Sequence, residues 1–116
     1  MEIIVTDEMK KWYEDLMEAE QEAVYESVGL LEQFGVKLGF PHSSEIKNTK
    51  YAFRELRATA NKSELRIIYA FDPSRDAVLV IGGDKSGDSG FYRKIIRKAE
   101  NIWKEYLQEY NPIKKS

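Results

Sequence analysis

Three strand-like segments follow one another in the second half of this sequence, after two helix-like segments and with no helix between them. Strands that cluster in this way are typical of an α+β fold. The middle segment, Glu64–Phe71, alternates a mainly apolar face with a second face that carries Arg66. The last segment, Ala77–Ile81, is a continuous apolar run, as expected for a strand buried on both faces. The first is Tyr51–Ala58, and short turns at Thr59–Ser63 and Asp72–Arg75 join the three.

Apolar residues at helical spacing occupy most of the first third of the chain. A short strand at Glu2–Val5 leads into Thr6, which is a suitable N-cap for a first helix. A second helix is expected at about Ala19–Phe34, with Gly35 as its C-cap. Almost nothing separates the two helices, so we expect a helical hairpin.

Two loops and a last helix complete the predicted fold. The loops are Gly35–Lys50 and the glycine-rich Gly82–Gly90, and the helix begins at Phe91. The predicted order is β-α-α-β-β-β-α, with the hairpin and the C-terminal helix packed on a small, mostly antiparallel sheet. No repeat or linker divides the chain, so we expect a single domain over residues 1–116.

The formal net charge of −2 hides a segregation of charge along the chain. Residues 1–46 contain 11 acidic and 3 basic residues, a balance of −8, whereas residues 47–98 contain 6 acidic and 12 basic residues, a balance of +6. Such a division can create a surface with two poles. It can equally reflect helices that are rich in glutamate and strands that are not.

Several classes of protein are excluded by what the sequence lacks. The chain has no cysteine and one histidine, which excludes disulfides and zinc sites built on Cys or several His. The motifs GxSxG, HExxH and the Walker loop are absent. No apolar run approaches the roughly 20 residues that span a bilayer, and the N-terminal residues do not resemble a signal peptide. We expect a cytoplasmic protein with no membrane association, no metal and no cofactor.

The remaining chemistry is basic. Arg54 and Arg57 should point to opposite faces of their strand because strand side chains alternate. If the strands pair in sequence, Arg57, Arg66 and Lys85 converge on one patch. The loop Gly82–Gly90 leads into a helix N-terminus and could hold an anion such as phosphate, or it could be a solvated turn with Ser89 as N-cap.

Alternatives stay open for other residues. Arg66, in the middle of a strand, could contact an anion, form a salt bridge with Glu55 or lie at an exposed edge. His42 could carry a proton, because its ordinary pKa is about 6.5, although an ordinary loop histidine is the simpler interpretation. The pairs Trp12/Tyr13 and Trp103/Tyr106 are best interpreted as core residues.

The whole pattern resembles the RelE/ParE superfamily of toxins from type II toxin–antitoxin pairs, and most of all its HigB-like, phage-associated branch. The similarity covers nearly the whole chain, and its sequence blocks are specific in combination. They are Leu38–His42, Phe53–Arg57, Leu65–Pro73, Leu79–Asp88, Phe91-Tyr92 and Ile96–Ala99.

This resemblance implies a toxin that cleaves mRNA on the ribosome without a metal and is neutralised by an antitoxin with a helix-turn-helix fold. It implies the catalytic residues Arg57, Arg66, Lys85 and Tyr92. Without metal, the ribose 2′-OH attacks the adjacent phosphate, with arginines as phosphate clamps, Lys85 as a conceivable base and Tyr92 positioning or stacking a base. Further RNA contacts are expected from Lys47, Lys50, Arg54, Arg93 and Arg97.

Two other functions remain possible. ParE members share the fold but inhibit DNA gyrase, so a non-enzymatic inhibitor of a protein target is the main alternative. An interaction domain without toxicity is the other. The near-neutral total charge is less basic than expected for a protein that binds the ribosome.

Overall fold

The computed structural model describes residues 1–111, which form one five-stranded sheet with helices on both faces. β1 is parallel to β5, and the other neighbouring strands are antiparallel in the order β1-β5-β4-β3-β2. The predicted α+β fold is therefore confirmed. The predicted domain over residues 1–116 includes residues 112–116, which lie outside the described range. The strands are β1 Ile3–Val5, β2 Ser43–Glu45, β3 Arg54–Ala60, β4 Ser63–Phe71 and β5 Ala77–Asp84, and the helices are α1 Asp7–Glu14, α2 Glu18–Phe34 and α3 Phe91–Glu109, with a 3₁₀ turn at Gly35–Lys37.

The sheet separates two apolar cores. Leu65, Ile67 and Tyr69 of β4 pack with α1 and α2, whereas Ile68 and Ala70 pack with α3. This is the alternation predicted for the strand. β5 is buried on both faces, as its apolar run predicts. The tryptophan and tyrosine pairs of α1 and α3 also pack in these cores, as expected.

Helix ends follow the capping signals at two of three predicted positions. Thr6 Oγ1 accepts a hydrogen bond from the backbone N–H of Met9 at 3.0 Å, as an N-cap does. Gly35 ends α2 with a left-handed φ of 57°, which glycine adopts without strain. The prediction of Ser89 as a cap is wrong, because Gly90 is the N-cap of α3.

The segment predicted to be the loop Gly35–Lys50 contains a strand that the sequence pattern missed. β2 has only three residues, all polar, and so it shows no apolar alternation. It forms because β3 offers a pairing edge, with Ser43 opposite Leu56 and Glu45 opposite Arg54. β3 itself begins at Arg54 rather than Tyr51, because Phe53 N–H bonds back to Tyr51 O in a tight turn at 2.8 Å.

Gly82 and Gly83 continue β5 instead of opening a loop, which corrects the prediction for Gly82–Gly90. A Cβ at Gly82 would overlap the indole ring of Trp12 on α1, and a Cβ at Gly83 would lie 2.9 Å from Phe91 Cε1. The two glycines therefore let α1 and α3 approach opposite faces of β5. The loop begins only at Lys85, and the start of α3 lies directly against the sheet.

A second contact holds α3 near its C-terminal end. Tyr106 Oη donates a hydrogen bond to Asp72 Oδ2 at 2.8 Å. Burial and this bond raise the pKa of the Tyr106 phenol well above its ordinary value. Asp72 also accepts the backbone N–H of Ser74 at 2.9 Å, so one carboxylate joins the helix to the turn between β4 and β5.

We expect Gly82→Ala to destabilise the protein by about 1–3 kcal/mol, because the added methyl group overlaps the Trp12 ring. The matched control is Gly29→Ala in α2, where a Cβ would have no neighbour within 4 Å. That variant should gain about 0.5–1 kcal/mol, as alanine usually does over glycine inside a helix. Urea unfolding of both variants measures the difference, and equal midpoints would contradict this account of β5.

Candidate active site

The four predicted catalytic residues lie on, or at the edge of, the sheet face that α3 covers. Arg57 on β3 and Arg66 on β4 are cross-strand partners, and partners of this kind share a face with their Cβ atoms about 5 Å apart. Tyr92 lies in the first turn of α3, and Lys85 follows the last residue of β5. The fold therefore brings these residues into one neighbourhood.

A buried ion pair forms the centre of this neighbourhood. Arg66 and Glu55 are only 7% and 6% exposed, and Arg66 Nε lies 3.2 Å from Glu55 Oε1. Tyr92 Oη donates a hydrogen bond to the same carboxylate oxygen at 2.7 Å. Of the alternatives for Arg66, the salt bridge to Glu55 is the one that the structure contains.

Arg66 keeps an unused donor inside this cluster. Its Nε–H is buried and has no hydrogen-bond acceptor among the described residues. The contact with Glu55 is an ion pair by distance, but it lacks the geometry of a hydrogen bond. The Nη1 group, in contrast, donates to Leu65 O at 3.0 Å. The Arg66 guanidinium is thus held in place by Leu65 and Glu55, and its Nε–H could still donate one hydrogen bond.

Glu55 is the member of the site that the sequence patterns identified only as a possible partner of Arg66. It lies two residues before Arg57, so the two side chains share a face of β3. Glu55 stands opposite Ile68 in the register with β4, one alternate position from Arg66. Strand periodicity and the pairing of β3 with β4 together place Glu55 at the site. The sequence alone does not give this pairing, because the register is set by the folded sheet.

The Tyr92 phenol is held in its protonated form. Its pKa is raised, first by burial and then by the hydrogen bond to Glu55, while Arg66 acts in the opposite direction. Because the ordinary value is already near 10, the phenol carries its proton throughout the neutral range. Tyr92 can therefore donate a hydrogen bond or a proton at this site.

Lys85 joins the site through the Tyr92 ring. Its Nζ lies 5.6 Å from the centre of that ring, within the range of a cation–π contact. Its backbone N–H donates to Glu64 O at 2.9 Å, which extends the pairing of β4 and β5 by one residue. The ammonium group is partly exposed beside the buried ion pair.

The loop between β5 and α3 is occupied by its own carboxylates. Asp88 accepts the backbone N–H of Gly90 at 3.0 Å and pairs with Lys94 at 2.8 Å, and its pKa is lowered chiefly by Lys94. Asp84 accepts hydrogen bonds from the Ser86 hydroxyl and backbone N–H, and the hydroxyl bond is the main cause of its lowered pKa. These contacts favour the interpretation as a polar turn over that as an anion site.

Arg57 extends the site toward β2. Its Nη2 donates to Ser44 Oγ at 2.8 Å, and its Nη1 donates to Pro41 O at 3.2 Å. Its Cζ also lies 5.5 Å from the centre of the Phe40 ring. Phe40, Arg57, Arg66, Tyr92 and Lys85 therefore form a continuous strip of neighbouring side chains, which we call the basic strip.

Arg54 lies on the other face of the sheet, as the alternation of β3 predicts. Its Nε donates to Ser43 Oγ at 3.2 Å and to Tyr69 Oη at 3.3 Å. Its Nη2 donates to Leu38 O at 3.3 Å. The guanidinium is therefore engaged inside the protein, away from the basic strip.

The other predicted RNA contacts divide into two groups. Arg93 and Arg97 are exposed on α3, one turn apart and close in sequence to Tyr92. Lys47 and Lys50 are exposed in the connection between β2 and β3, at the end of β3 opposite Lys85. The first pair flanks the basic strip, and the second pair lies apart from it.

His42 lies at the edge of the same region. It is exposed in the turn before β2, and its backbone O accepts the N–H of Arg57 at 2.9 Å. Its backbone N–H donates to Gly39 O at 3.0 Å. The histidine is thus a neighbour of Arg57, and its role as a proton carrier stays a prediction.

Residues 1–111 offer no evident metal centre and no membrane span. Within this range no three His, Asp or Glu side chains cluster closely enough to bind a metal ion. No helix in the same range is both long and apolar enough to cross a membrane.

Comparison with known proteins identifies the family. Residues 11–104 match the family described as phage-derived protein Gp49-like. Two proteins of Mycobacterium tuberculosis are similar: one named as toxin HigB2, 29% identical over 93% of this chain, and one named as toxin HigB3, 34% identical over 76% of it. The chain spans 55% of the length of the first protein and 76% of the second. No solved structure gives a significant match. The chain therefore belongs to the Gp49-like family and is related to proteins named as HigB toxins.

Proposed function

We propose that this protein is the toxin of a toxin–antitoxin pair, that it cleaves mRNA on the ribosome, and that a cognate antitoxin neutralises it. The observation that carries the proposal is the convergence of Arg57, Arg66 and Lys85 around the protonated phenol of Tyr92. Two guanidinium groups suit the charge of a phosphodiester, and an amine and a phenol beside them suit proton transfer. The relatives named as HigB toxins support the toxin part of the proposal, and the resemblance to RNA-cleaving toxins is the reason for proposing RNA as the substrate.

The proposed reaction needs no metal and no water. The ribose 2′-oxygen loses its proton and forms a bond to the adjacent phosphorus, and the bond from phosphorus to the 5′-oxygen breaks. The leaving 5′-oxygen takes up a proton, so the products are a 2′,3′-cyclic phosphate and a 5′-hydroxyl. Such a step requires a base, an acid and cations around a phosphorane with extra negative charge.

We assign these roles by geometry and charge. Arg57 and Arg66 hold the phosphate, because an arginine stays protonated and offers two parallel donors. Tyr92 protonates the leaving oxygen: its raised pKa keeps the proton on the phenol, and the hydroxyl turns from Glu55 to the substrate for the transfer. Lys85 is the proposed base for the 2′-OH proton. Glu55 is a positioning residue that holds both Arg66 and Tyr92.

The unused donor of Arg66 supports this assignment. Glu55 compensates the charge of this group at 3.2 Å, but the Nε–H makes no hydrogen bond among the described residues. A phosphate oxygen that reaches Nε would supply that hydrogen bond and add an ionic contact. The substrate is then bound most strongly when its phosphate carries the most charge, which is the condition for catalysis by differential binding.

We expect Arg57→Ala and Lys85→Ala to lower cleavage by at least about 100-fold, because the first removes a cation that holds the phosphate and the second removes the proposed base. The control is Lys104→Ala, which removes an exposed cation from the distal part of α3. Growth after induction and mapping of new mRNA 5′ ends measure the effect. New ends should carry a 5′-hydroxyl, and a deoxyribose 5′ of the cleaved phosphate should block the cut.

Other outcomes of this experiment have clear meanings. Growth arrest with no new mRNA ends, but with altered DNA supercoiling, would replace the nuclease with a gyrase inhibitor. If both alanine variants stay as active as Lys104→Ala, the assigned site is wrong.

Arg66 requires a different substitution. Arg66→Ala leaves the buried Glu55 carboxylate without its partner, which typically costs about 3–5 kcal/mol of stability. Arg66→Lys keeps the positive charge but loses the planar pair of donors. We expect Arg66→Lys to remain folded by circular dichroism and to lose at least about 10-fold in cleavage. Full activity of this folded variant would contradict the role of phosphate clamp.

Tyr92→Phe tests the proton donor and its pH dependence. We expect the variant to cleave about 100-fold more slowly, and we expect the wild type to keep its phenol proton from pH 6 to 9. The folded pKa is raised, so the stabilisation from this group is present below about pH 10 and is lost as pH rises through the folded pKa. Single-turnover rates from pH 6 to 9 test the first expectation, and thermal unfolding from about pH 9 upward, through the folded pKa, tests the second. A wild-type rate that falls between pH 6 and 9 together with Tyr92 deprotonation would contradict them.

A further inference from the structure

Phe40 is an aromatic side chain that packing does not explain. Its side chain is 83% exposed, the largest fraction among the exposed large apolar residues of the described chain. It lies in the segment between the 3₁₀ turn and β2, which we call the Phe40 loop, residues 38–42. Single exposed apolar residues are common, so exposure alone assigns no role.

The backbone of the Phe40 loop accepts hydrogen bonds from two arginines on opposite faces of the sheet. Arg54 Nη2 donates to Leu38 O at 3.3 Å, and Arg57 Nη1 donates to Pro41 O at 3.2 Å. The backbone N–H of Arg57 donates to His42 O at 2.9 Å. Leu38 is itself buried in the core under α2. The loop backbone is therefore anchored on both sides of Phe40, and its ring stays exposed.

The position of the ring relates it to the proposed active site. Arg57 Cζ lies 5.5 Å from the ring centre, and Arg57 is the cross-strand partner of Arg66. A phosphate held between the two arginines would lie one side chain away from the ring. In a nucleotide the base and its phosphate are joined through one sugar, so a nucleotide whose phosphate contacts Arg57 brings its base near this ring.

We propose that Phe40 is a stacking platform for an unpaired nucleobase of the RNA, next to the phosphate that Arg57 and Arg66 hold. This inference rests on the proposed function and adds a base subsite to it. Bases stack on aromatic rings because every base has a π-face, and the contact is tolerant of sequence. The subsite therefore determines which nucleotide of the RNA lies next to the arginines, but it does not select one particular base. Arg57 beside the ring orients the base and the phosphate together.

The test uses a non-cleavable RNA trinucleotide whose riboses are 2′-O-methylated. We expect Phe40→Leu to weaken its binding about 10- to 100-fold, the range of one base–aromatic stacking contact, and Phe40→Trp to retain it. Tyr25→Leu is the matched control, because Tyr25 is an aromatic residue with 75% exposure on the acidic helix α2. Isothermal titration calorimetry at millimolar RNA measures all four proteins.

Abasic trinucleotides identify the stacked base. Removal of one base should weaken binding to the wild type but leave binding to Phe40→Leu unchanged, because the stacking contact is already lost there. Equal RNA affinity of Phe40→Leu and the wild type would overturn the inference, and so would a loss in Phe40→Leu that Tyr25→Leu reproduces. Failure of the wild type to bind the trinucleotide would also overturn it.

Cleavage separates this inference from the proposed function. If the wild type and Phe40→Leu cut mRNA equally on translating ribosomes, the nuclease stands and the stacking platform fails. If the wild type produces no new mRNA ends, the proposed nuclease fails, and the trinucleotide titration alone decides whether Phe40 binds a base.

Discussion

The buried ion pair between Arg66 and Glu55 is the interaction on which the rest of this structure depends. Two charges removed from water are tolerated only when each is the other's partner. Here the partners come from β4 and β3, and Tyr92 adds a hydrogen bond from α3. The register of the two strands and the position of the helix are therefore coupled at one carboxylate. A shift of any of the three elements would leave a buried charge without compensation.

Stability alone does not explain why such a pair is kept. Replacing a buried ion pair with apolar residues of similar volume is often neutral or stabilising. Apolar side chains such as Ile68 and Ala70 already fill the same face of β4. Arg66 nevertheless retains a buried N–H without a hydrogen-bond acceptor among the described residues. This N–H adds no hydrogen bond to the stability of the fold, and an anionic ligand that reached it would supply the missing acceptor.

The sequence predictions are correct where a structural feature depends on neighbouring residues in the chain, and they fail where it depends on residues far away in the sequence. The helix cap at Thr6, the alternation of β4 and the apolar run of β5 depend on near neighbours in the chain, and they were predicted correctly. β2 depends on the edge that β3 provides, and its polar residues carry no pattern of their own. Two adjacent glycines usually indicate a loop, but Gly82 and Gly83 lie in a strand. They are needed there because a side chain at either position would collide with an aromatic ring on α1 or α3. Glu55 joins the site only through the register of β3 with β4.

The charge segregation in the sequence corresponds to the two faces of the sheet, although only in part. α2 carries five glutamates and no lysine or arginine, whereas α3, on the opposite face, carries five basic and three acidic residues. The basic segment is nevertheless not one surface, because Arg54 is engaged on the face of α2, and Lys47 and Lys50 lie beyond the end of β3. The unequal charges of α2 and α3, on opposite faces, create an electric dipole across the sheet. A dipole of this direction favours the approach of a polyanion on the side of α3, so a chain with net charge −2 can still present a cationic face.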